Sequence, residues 1–170
     1  LQTQAPVASG GRAVTHQNYD AVGRFQYQSS PYARTGAAGS DYIAPDWTTV
    51  ANYTQSYYDA LNRPVKTETR SLNTLLWAVS TSYQGWTRTL NDAKGNVTLT
   101  STDALGQVAS VTELIGATPG ATTAYTTTYS YDMQGNLTQV RDAPGHITSM
   151  GYDLLGRKTA LILGGAGSMI

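Results

Sequence analysis

The stretch Ser130-Tyr-Asp-Met-Gln-Gly-Asn136 decides the fold, because it joins the end of a strand to one specific type of turn. A type I turn favours Asp at its first position, where the carboxylate accepts backbone N–H groups, and Gly at its fourth. In a β-hairpin this fourth residue often adopts a left-handed conformation, which Gly accepts most easily and Asn next. The stretch therefore predicts a hairpin turn from Asp132 to Gly135.

The same Asp-x-x-Gly pattern recurs along the chain, once with Asn in place of Gly. Where consecutive aspartates lie ten or eleven residues apart, as from Asp142 to Asp153, one turn and one short strand fill the interval. The longer intervals are expected to contain degenerate turns or loop insertions. The predicted structural turns are Asp20 to Gly23, Asp59 to Asn62, Asp92 to Gly95, Asp103 to Gly106, Asp132 to Gly135, Asp142 to Gly145 and Asp153 to Gly156.

Residues between the turns alternate with period two, which is the pattern of β-strands. The tyrosines of the segment 125–131 share one face with Thr127, and Trp77 lies on a similar apolar face, where we interpret it as a core residue. Lys66, Glu68 and Arg70 alternate with apolar and hydroxyl residues, and we interpret them as a solvated face. These patterns predict an all-β protein, an antiparallel array of hairpin repeats without helices.

Composition narrows the classes of function. Charged residues make up 13% of the chain, about half the usual share, while the 12 tyrosines supply most of the aromatic side chains. The formal net charge is zero, which gives no basic field for nucleic acid. No cysteine is present to form a disulfide or a thiolate metal site, and no apolar run is long enough to span a membrane. We predict no cofactor and no metal.

The whole chain, residues 1–170, is expected to form a single segment of this array. Residues 31–50 are rich in Gly, Pro and Asp and are expected to be a loop or insertion, with Trp47 near its end. Residues 160–170 depart from the repeat and are expected to be a diverged or truncated end. Because the sequence opens on Leu1, we interpret it as part of a longer chain.

The residues around the turns carry a family resemblance. Four near-copies of one motif are Asn18-Tyr-Asp-Ala-Val-Gly-Arg24, Tyr57-Tyr-Asp-Ala-Leu-Asn-Arg63, Ser130-Tyr-Asp-Met-Gln-Gly-Asn136 and Gly151-Tyr-Asp-Leu-Leu-Gly-Arg157. This pattern resembles the YD repeats of RHS proteins, teneurins and the subunits of insecticidal toxin complexes. The resemblance implies a strand-turn-strand ribbon that spirals into a hollow shell. It also implies that Tyr19, Tyr58, Tyr131 and Tyr152 stack in rows across neighbouring hairpins.

In function, the resemblance implies a structural segment of an RHS β-shell that encapsulates or carries a C-terminal toxin or effector. The alternative is a cell-surface adhesion or carbohydrate-binding repeat module. The expected partners are the remaining repeats of a larger parent chain and an enclosed toxin domain, with self-association through open sheet edges as a further possibility. The resemblance also implies a secreted or cell-surface bacterial protein.

Candidate chemical sites are few, and we expect no enzymatic activity. His16 and His146 are the only histidines, and neither has a neighbouring nucleophile or ligand pattern in the sequence. Trp47 and Trp86 are candidates for stacking against a ligand such as a sugar ring. The glycines of the segment 164–167 resemble a phosphate-binding loop, but no helix follows them in the sequence to face the phosphate.

Overall fold

The computed structural model describes residues 1–8, 10–115 and 123–164, and within these residues all regular secondary structure is β. The prediction of an all-β, antiparallel array without helices is confirmed for this part of the chain. Its fourteen strands are β1 (Gln2–Val7), β2 (Gly11–Tyr19), β3 (Phe25–Ser29), β4 (Tyr32–Arg34), β5 (Tyr53–Tyr58), β6 (Pro64–Ser71), β7 (Thr74–Gln84), β8 (Thr87–Asn91), β9 (Val97–Thr102), β10 (Val108–Ile115), β11 (Thr123–Tyr131), β12 (Leu137–Arg141), β13 (Ile147–Tyr152) and β14 (Lys158–Gly164).

The chain divides into two compact units, Leu1–Thr81 and Ser82–Ile170. In the first unit the neighbouring strands are β1, β2, β3, β5, β6 and β7, in that order, and β4 pairs with β2. In the second unit β8 to β14 follow one another in sequence order. Such short antiparallel connections between consecutive strands are what hairpin repeats produce.

Two connections without the Asp-x-x-Gly pattern close hairpins in the long interval from Asp59 to Asp92. Leu72 and Asn73 both have positive φ, 47° and 62°, as a two-residue type I′ turn requires. Gly85 has a φ of 56° and opens the turn between β7 and β8. The expected degenerate turns thus exist in this interval, formed by different turn chemistry.

The region predicted as an insertion, residues 31–50, contains the short strand β4 and then irregular backbone that packs on one face of the first unit. Val14, Tyr32, Val50 and Tyr53 form the buried cluster there, and Trp47 packs against it. The predicted end region, 160–170, continues β14 up to Gly164, and the rest of it lies outside the described residues.

His16 anchors this irregular segment to the sheet. It is 2% exposed, its Nε2 donates to the carbonyl of Ile43 at 2.6 Å, and its Nδ1 accepts from the hydroxyl of Tyr32 at 3.0 Å. Because a carbonyl can only accept, these partners fix one neutral tautomer of the ring. Burial lowers the pKa of His16, with the hydrogen bond to Ile43 acting in the opposite direction.

Two sequence interpretations are wrong in the first unit, for the same reason. Glu68 is only 3% exposed, because its face also carries Tyr53 and Tyr57; its carboxylate accepts from Tyr57 and pairs with Lys66 and Arg70.

Trp77, interpreted as a core residue, is 49% exposed. It pairs with Thr69, whose side chain points to the face opposite that of Glu68. Alternation correctly assigned both residues to faces, but it does not say which face another segment covers.

The second unit is a single β layer. None of its described residues, 82–115 and 123–164, is fully buried. One face carries Tyr125, Tyr129 and Val140, and the other carries hydroxyl pairs such as Thr112 with Thr126, whose oxygens lie 3.0 Å apart. Cross-strand hydrogen bonds and turns therefore hold this unit together more than a core does.

Candidate functional site

The seven predicted turns have one common backbone geometry. In each, the N–H of the residue three after Asp donates to the Asp carbonyl, and the Asp N–H donates to the carbonyl four residues on. All of these N···O distances are between 2.8 and 3.1 Å. The fourth position has positive φ throughout, from 63° at Asn62 to 97° at Gly145. This matches the left-handed fourth position that the sequence predicts.

The aspartate carboxylate completes each turn. In Asp132, for example, Oδ1 accepts from the N–H of Gln134 and from that of Asn136, each at 2.9 Å. The second of these bonds occurs in all seven turns. The first is missing only in the Asp142 turn, where Pro144 has no N–H to donate. The aspartates thus act as acceptors within their own turns.

The residue four after Asp closes the other side of the carboxylate in six turns, a contact that the sequence analysis did not identify. Its side chain donates to Asp Oδ2, or faces it in the case of His146, at 2.6 to 2.9 Å. The signal was present in the sequence, because this position holds only residues with side-chain N–H groups: Arg24, Arg63, Asn96, Gln107, Asn136, His146 and Arg157. Gln107 is the exception and donates elsewhere.

These hydrogen bonds lower the pKa of most turn aspartates. The side chains of Asn96 and Asn136 are the main cause for Asp92 and Asp132. The backbone N–H of the residue four positions on is the main cause for Asp59 and Asp153. Charged carboxylates that accept several N–H groups behave in this way without any catalytic role.

The repeat tyrosines connect neighbouring hairpins. The hydroxyl of Tyr152 donates to the carbonyl of Leu137 at 3.0 Å, and Tyr131 does the same to Val108 at 3.0 Å. In the first unit, Tyr58 donates to Phe25 at 2.8 Å. Each acceptor is the fifth residue after the Asp of the preceding turn at the same end of the sheet. Hydrogen bonds therefore make these contacts, where the resemblance implied rows of stacked rings.

Tyr19 differs from the other three. Its ring meets Phe25 edge to face at 5.4 Å, and its hydroxyl lies 3.5 Å from the side chain of Gln17. The turn before it joins β1 to β2 and lacks the Tyr-Asp motif. A hydroxyl-to-carbonyl contact thus accompanies a preceding Asp-x-x-Gly turn.

A second contact between neighbouring turns starts from the fourth residue after Asp. Arg24 donates to the side chain of Asn62 at 2.7 Å, and its guanidinium lies 4.7 Å from the centre of the Tyr58 ring. In the second unit, Gln107 donates to the carbonyl of Gly135 at 3.4 Å. Cation–π and hydrogen-bond contacts of this kind fix the relative positions of adjacent hairpins.

The two ends of the strands are not equivalent. Because consecutive strands are antiparallel, the turns at Asp103, Asp132 and Asp153 lie at one end of the second unit, and those at Asp92 and Asp142 lie at the other. In the first unit the turns at Asp20 and Asp59 share one end. We call the end that carries the Tyr-Asp motifs the Tyr-Asp end of each unit. The tyrosine contacts therefore run along one end only.

The two candidate stacking residues lie in different surroundings. Trp47 stacks on Tyr27, with ring centres 5.0 Å apart, and contacts Tyr53 at 4.7 Å. Trp86 is 64% exposed and borders a depression of about 200 Å³ with Tyr83 and Arg88. Ligand stacking remains a prediction for both, but Trp47 also has a packing role.

The other candidates form no recognisable site. Within residues 1–8, 10–115 and 123–164, no three His, Cys, Asp or Glu side chains converge as a metal site would require. His16 is buried in the first unit, and His146 faces Asp142 in a turn. Of the glycine-rich segment, only Gly164 is described. In the same residues, no helix has the length and apolar character to cross a membrane.

The repeated turns and their cross-hairpin contacts define the class of protein, an antiparallel β-hairpin repeat array. Residues 131–168 match the family model for the RHS Repeat. The chain is therefore an RHS/YD-repeat protein, as its motifs predicted. No curated protein sequence matches it.

Solved structures support the same fold. The chain is similar to the crystal structure of TcdB2-TccC3, with 15% identity and a TM-score of 0.63 over 95% of this chain and 10% of that one. For TcdB2-TccC3-Cdc42 the values are 16%, 0.63, 91% and 9%. A Tc holotoxin pore structure from Photorhabdus luminescens gives 16%, 0.63, 90% and 9%. The chain thus spans about a tenth of the length of these matched chains.

Proposed function

We propose that this chain is a structural wall segment of an RHS β-shell, and that the parent protein encapsulates or carries a C-terminal toxin or effector. The observation that carries the proposal is the hydroxyl-to-carbonyl contact from each of Tyr58, Tyr131 and Tyr152 to the preceding hairpin. Such contacts hold successive hairpins in a fixed relation, which a wall of repeats requires. The likeness of fold to chains of the TcdB2-TccC3 structures supports the same role.

We further propose that the segment has no catalytic role. Every repeat aspartate is already engaged by N–H groups of its own turn. A catalytic carboxylate needs free access to a substrate and a partner group, whereas these carboxylates are separated along the hairpin tips. Secretion or surface display of the parent is part of the proposal, supported by the naming of a holotoxin among the matched structures.

The intact parent protein provides the test. Electron microscopy is expected to show a hollow particle, and limited proteolysis is expected to spare the domain that follows the repeats. The control is the same protein with Tyr-to-Phe changes at Tyr58, Tyr131 and Tyr152, which should become more sensitive to protease. A solid globular particle, or a following domain cleaved as fast as a free one, would overturn the proposal.

One observation favours a second candidate, a carbohydrate-binding module. Trp86 is exposed next to Arg88 and the hydroxyls of Thr100 and Thr102, and aromatic rings with nearby polar groups can bind sugars. A glycan array with the wild-type chain and with W86A decides between the two. Binding that is lost in W86A supports the module, while no binding by either protein supports the shell.

A further inference from the structure

Large apolar side chains project from the hairpin tips at the Tyr-Asp end of the second unit. We call this set the apolar rim, and its exposed fractions lie between 64% and 104%. The turn of Trp86 belongs to this end, because the N–H of Thr102, directly before Asp103, donates to the Trp86 carbonyl at 3.0 Å. The rim consists of Trp86, Leu105, Met133, Leu154 and Leu155.

Turn chemistry does not explain these side chains. In the Asp103 turn the carboxylate and Gly106 satisfy the geometry, and Leu105 contributes only its backbone N–H. In the turn from β7 to β8, the positive φ falls on Gly85, so the following position places no demand on Trp86. Polar residues would suit these exposed tips at least as well.

The apolar choice is confined to one end of the unit. The equivalent positions in the described turns at the other end are Ala93 and Lys94, and Ala143 and Pro144. In the first unit, the tips at the Tyr-Asp end again carry exposed apolar residues, Val22 at 69% and Leu61 at 71%. A difference between the ends that recurs in both units indicates a role for this end as a contact surface.

Charge and spacing restrict what the rim can bind. Asp103, Asp132 and Asp153 lie at this end, but each accepts N–H groups of its own turn, and Asp153 also pairs with Arg157. The rim therefore lacks a free charge that would select an oppositely charged partner. Its successive tips are two strands apart, about 9.5 Å, so a partner with apolar groups at the same period fits best.

A second rim has this period and the same lack of free charge. We propose that the apolar rim is a docking surface for the same rim of a second copy of this chain, with the two rows of tips interleaved about a two-fold axis. An isologous contact needs a self-complementary surface, and two equally spaced rows of apolar tips provide one. Leu105 and Met133, in the middle of the rim, then lie near the axis.

The absence of cysteine in the sequence allows a direct test. Single-cysteine variants L105C and K94C place a thiol at the same turn position at opposite ends of the unit. A short bis-maleimide is expected to convert L105C to covalent dimer and to leave K94C monomeric. In sedimentation equilibrium, the double variant L105S with M133S should dimerise at least about tenfold more weakly than wild type, whereas K94S should not change.

Thermal unfolding of each variant checks that these exposed substitutions preserve the fold. A monomeric wild-type chain at high micromolar concentration without cross-linked dimer overturns the proposal, as does equal cross-linking of K94C. Dimers that persist in the double serine variant assign association to the open sheet edges instead. Sedimentation with neutral lipid vesicles that disappears in the same variant assigns the rim to a membrane surface. None of these results depends on whether the parent encloses a cargo.

Discussion

The hydroxyl of Tyr152 donates a 3.0 Å hydrogen bond to the backbone carbonyl of Leu137, fifteen residues earlier in the chain. Leu137 follows the turn that begins at Asp132, and Tyr152 directly precedes the turn that begins at Asp153. The bond therefore joins two hairpins that each close locally. The same relation between Tyr131 and Val108 makes it a property of the repeat.

Replacing Tyr152 by Phe tests this contact. The Y152F variant leaves the Leu137 carbonyl without its tyrosine donor, so the free energy of unfolding is expected to fall by ~0.5–1.5 kcal/mol in urea denaturation. The control is Y125F, because Tyr125 lies on the same unit and is 46% exposed. Equal stability of Y152F and Y125F would falsify the role of this hydroxyl.

The aspartate carboxylate should matter more than its charge alone. In D132A the N–H groups of Gln134 and Asn136 lose their acceptor, whereas D132N keeps an oxygen at a similar place. The midpoint of thermal unfolding is expected to fall most in D132A and less in D132N. D41A, in an exposed residue outside the repeat turns, should change little. Identical midpoints for D132A and D41A would contradict the turn assignment.

Gly135 tests the left-handed turn position. Its φ is 86°, and an added Cβ would lie 3.0 Å from Nε2 of Gln107. G135V is therefore expected to lose at least ~1 kcal/mol of stability. Gly39 is the matched control, because its φ is not in this region and an added Cβ meets nothing within 4 Å. A neutral G135V in thermal unfolding would show that the turn register is different.

Leu72 offers a change in the opposite direction. It adopts a φ of 47° although it is not Gly or Asn, and its side chain is 56% exposed, so little burial compensates for the strained backbone. L72N is expected to raise the free energy of unfolding by ~0.5–1 kcal/mol. L61N changes an exposed leucine without positive φ and should be near neutral. Stabilisation of both variants, or of neither, would argue against backbone strain at Leu72.

Glu68 predicts a dependence of stability on pH. The side chain of Lys66 is the main cause that lowers the pKa of Glu68 from 4.5 to about 2, against the opposing effect of burial. Because the folded pKa is lowered, this carboxylate stabilises the fold above pH 4.5, and its contribution is lost as the pH falls towards 2.

The matched variant is E68Q, which removes the titrating group. Its stability deficit relative to wild type should be largest at pH 7 and should shrink between pH 4.5 and 2 in urea denaturation. A deficit that stays constant over this range would mean that Glu68 does not act through its charge.

The sequence by itself determined the turns and therefore the class of fold. All seven Asp-x-x-Gly or Asn turns form where the sequence placed them, because their hydrogen bonds join atoms at most four residues apart. Period-two alternation likewise assigned Glu68 and Trp77 to opposite faces, since strand geometry is local.

Only the tertiary structure decided which face is covered and which hairpins touch. Glu68 is buried and Trp77 is open because residues 31–50 pack on one side of the first unit, a contact that no local pattern encodes. The partner of Tyr152 depends on the order of strands in the sheet, which brings together residues fifteen apart in the chain. Turn chemistry acts over a few bonds, whereas burial and cross-hairpin contacts arise only when distant strands assemble.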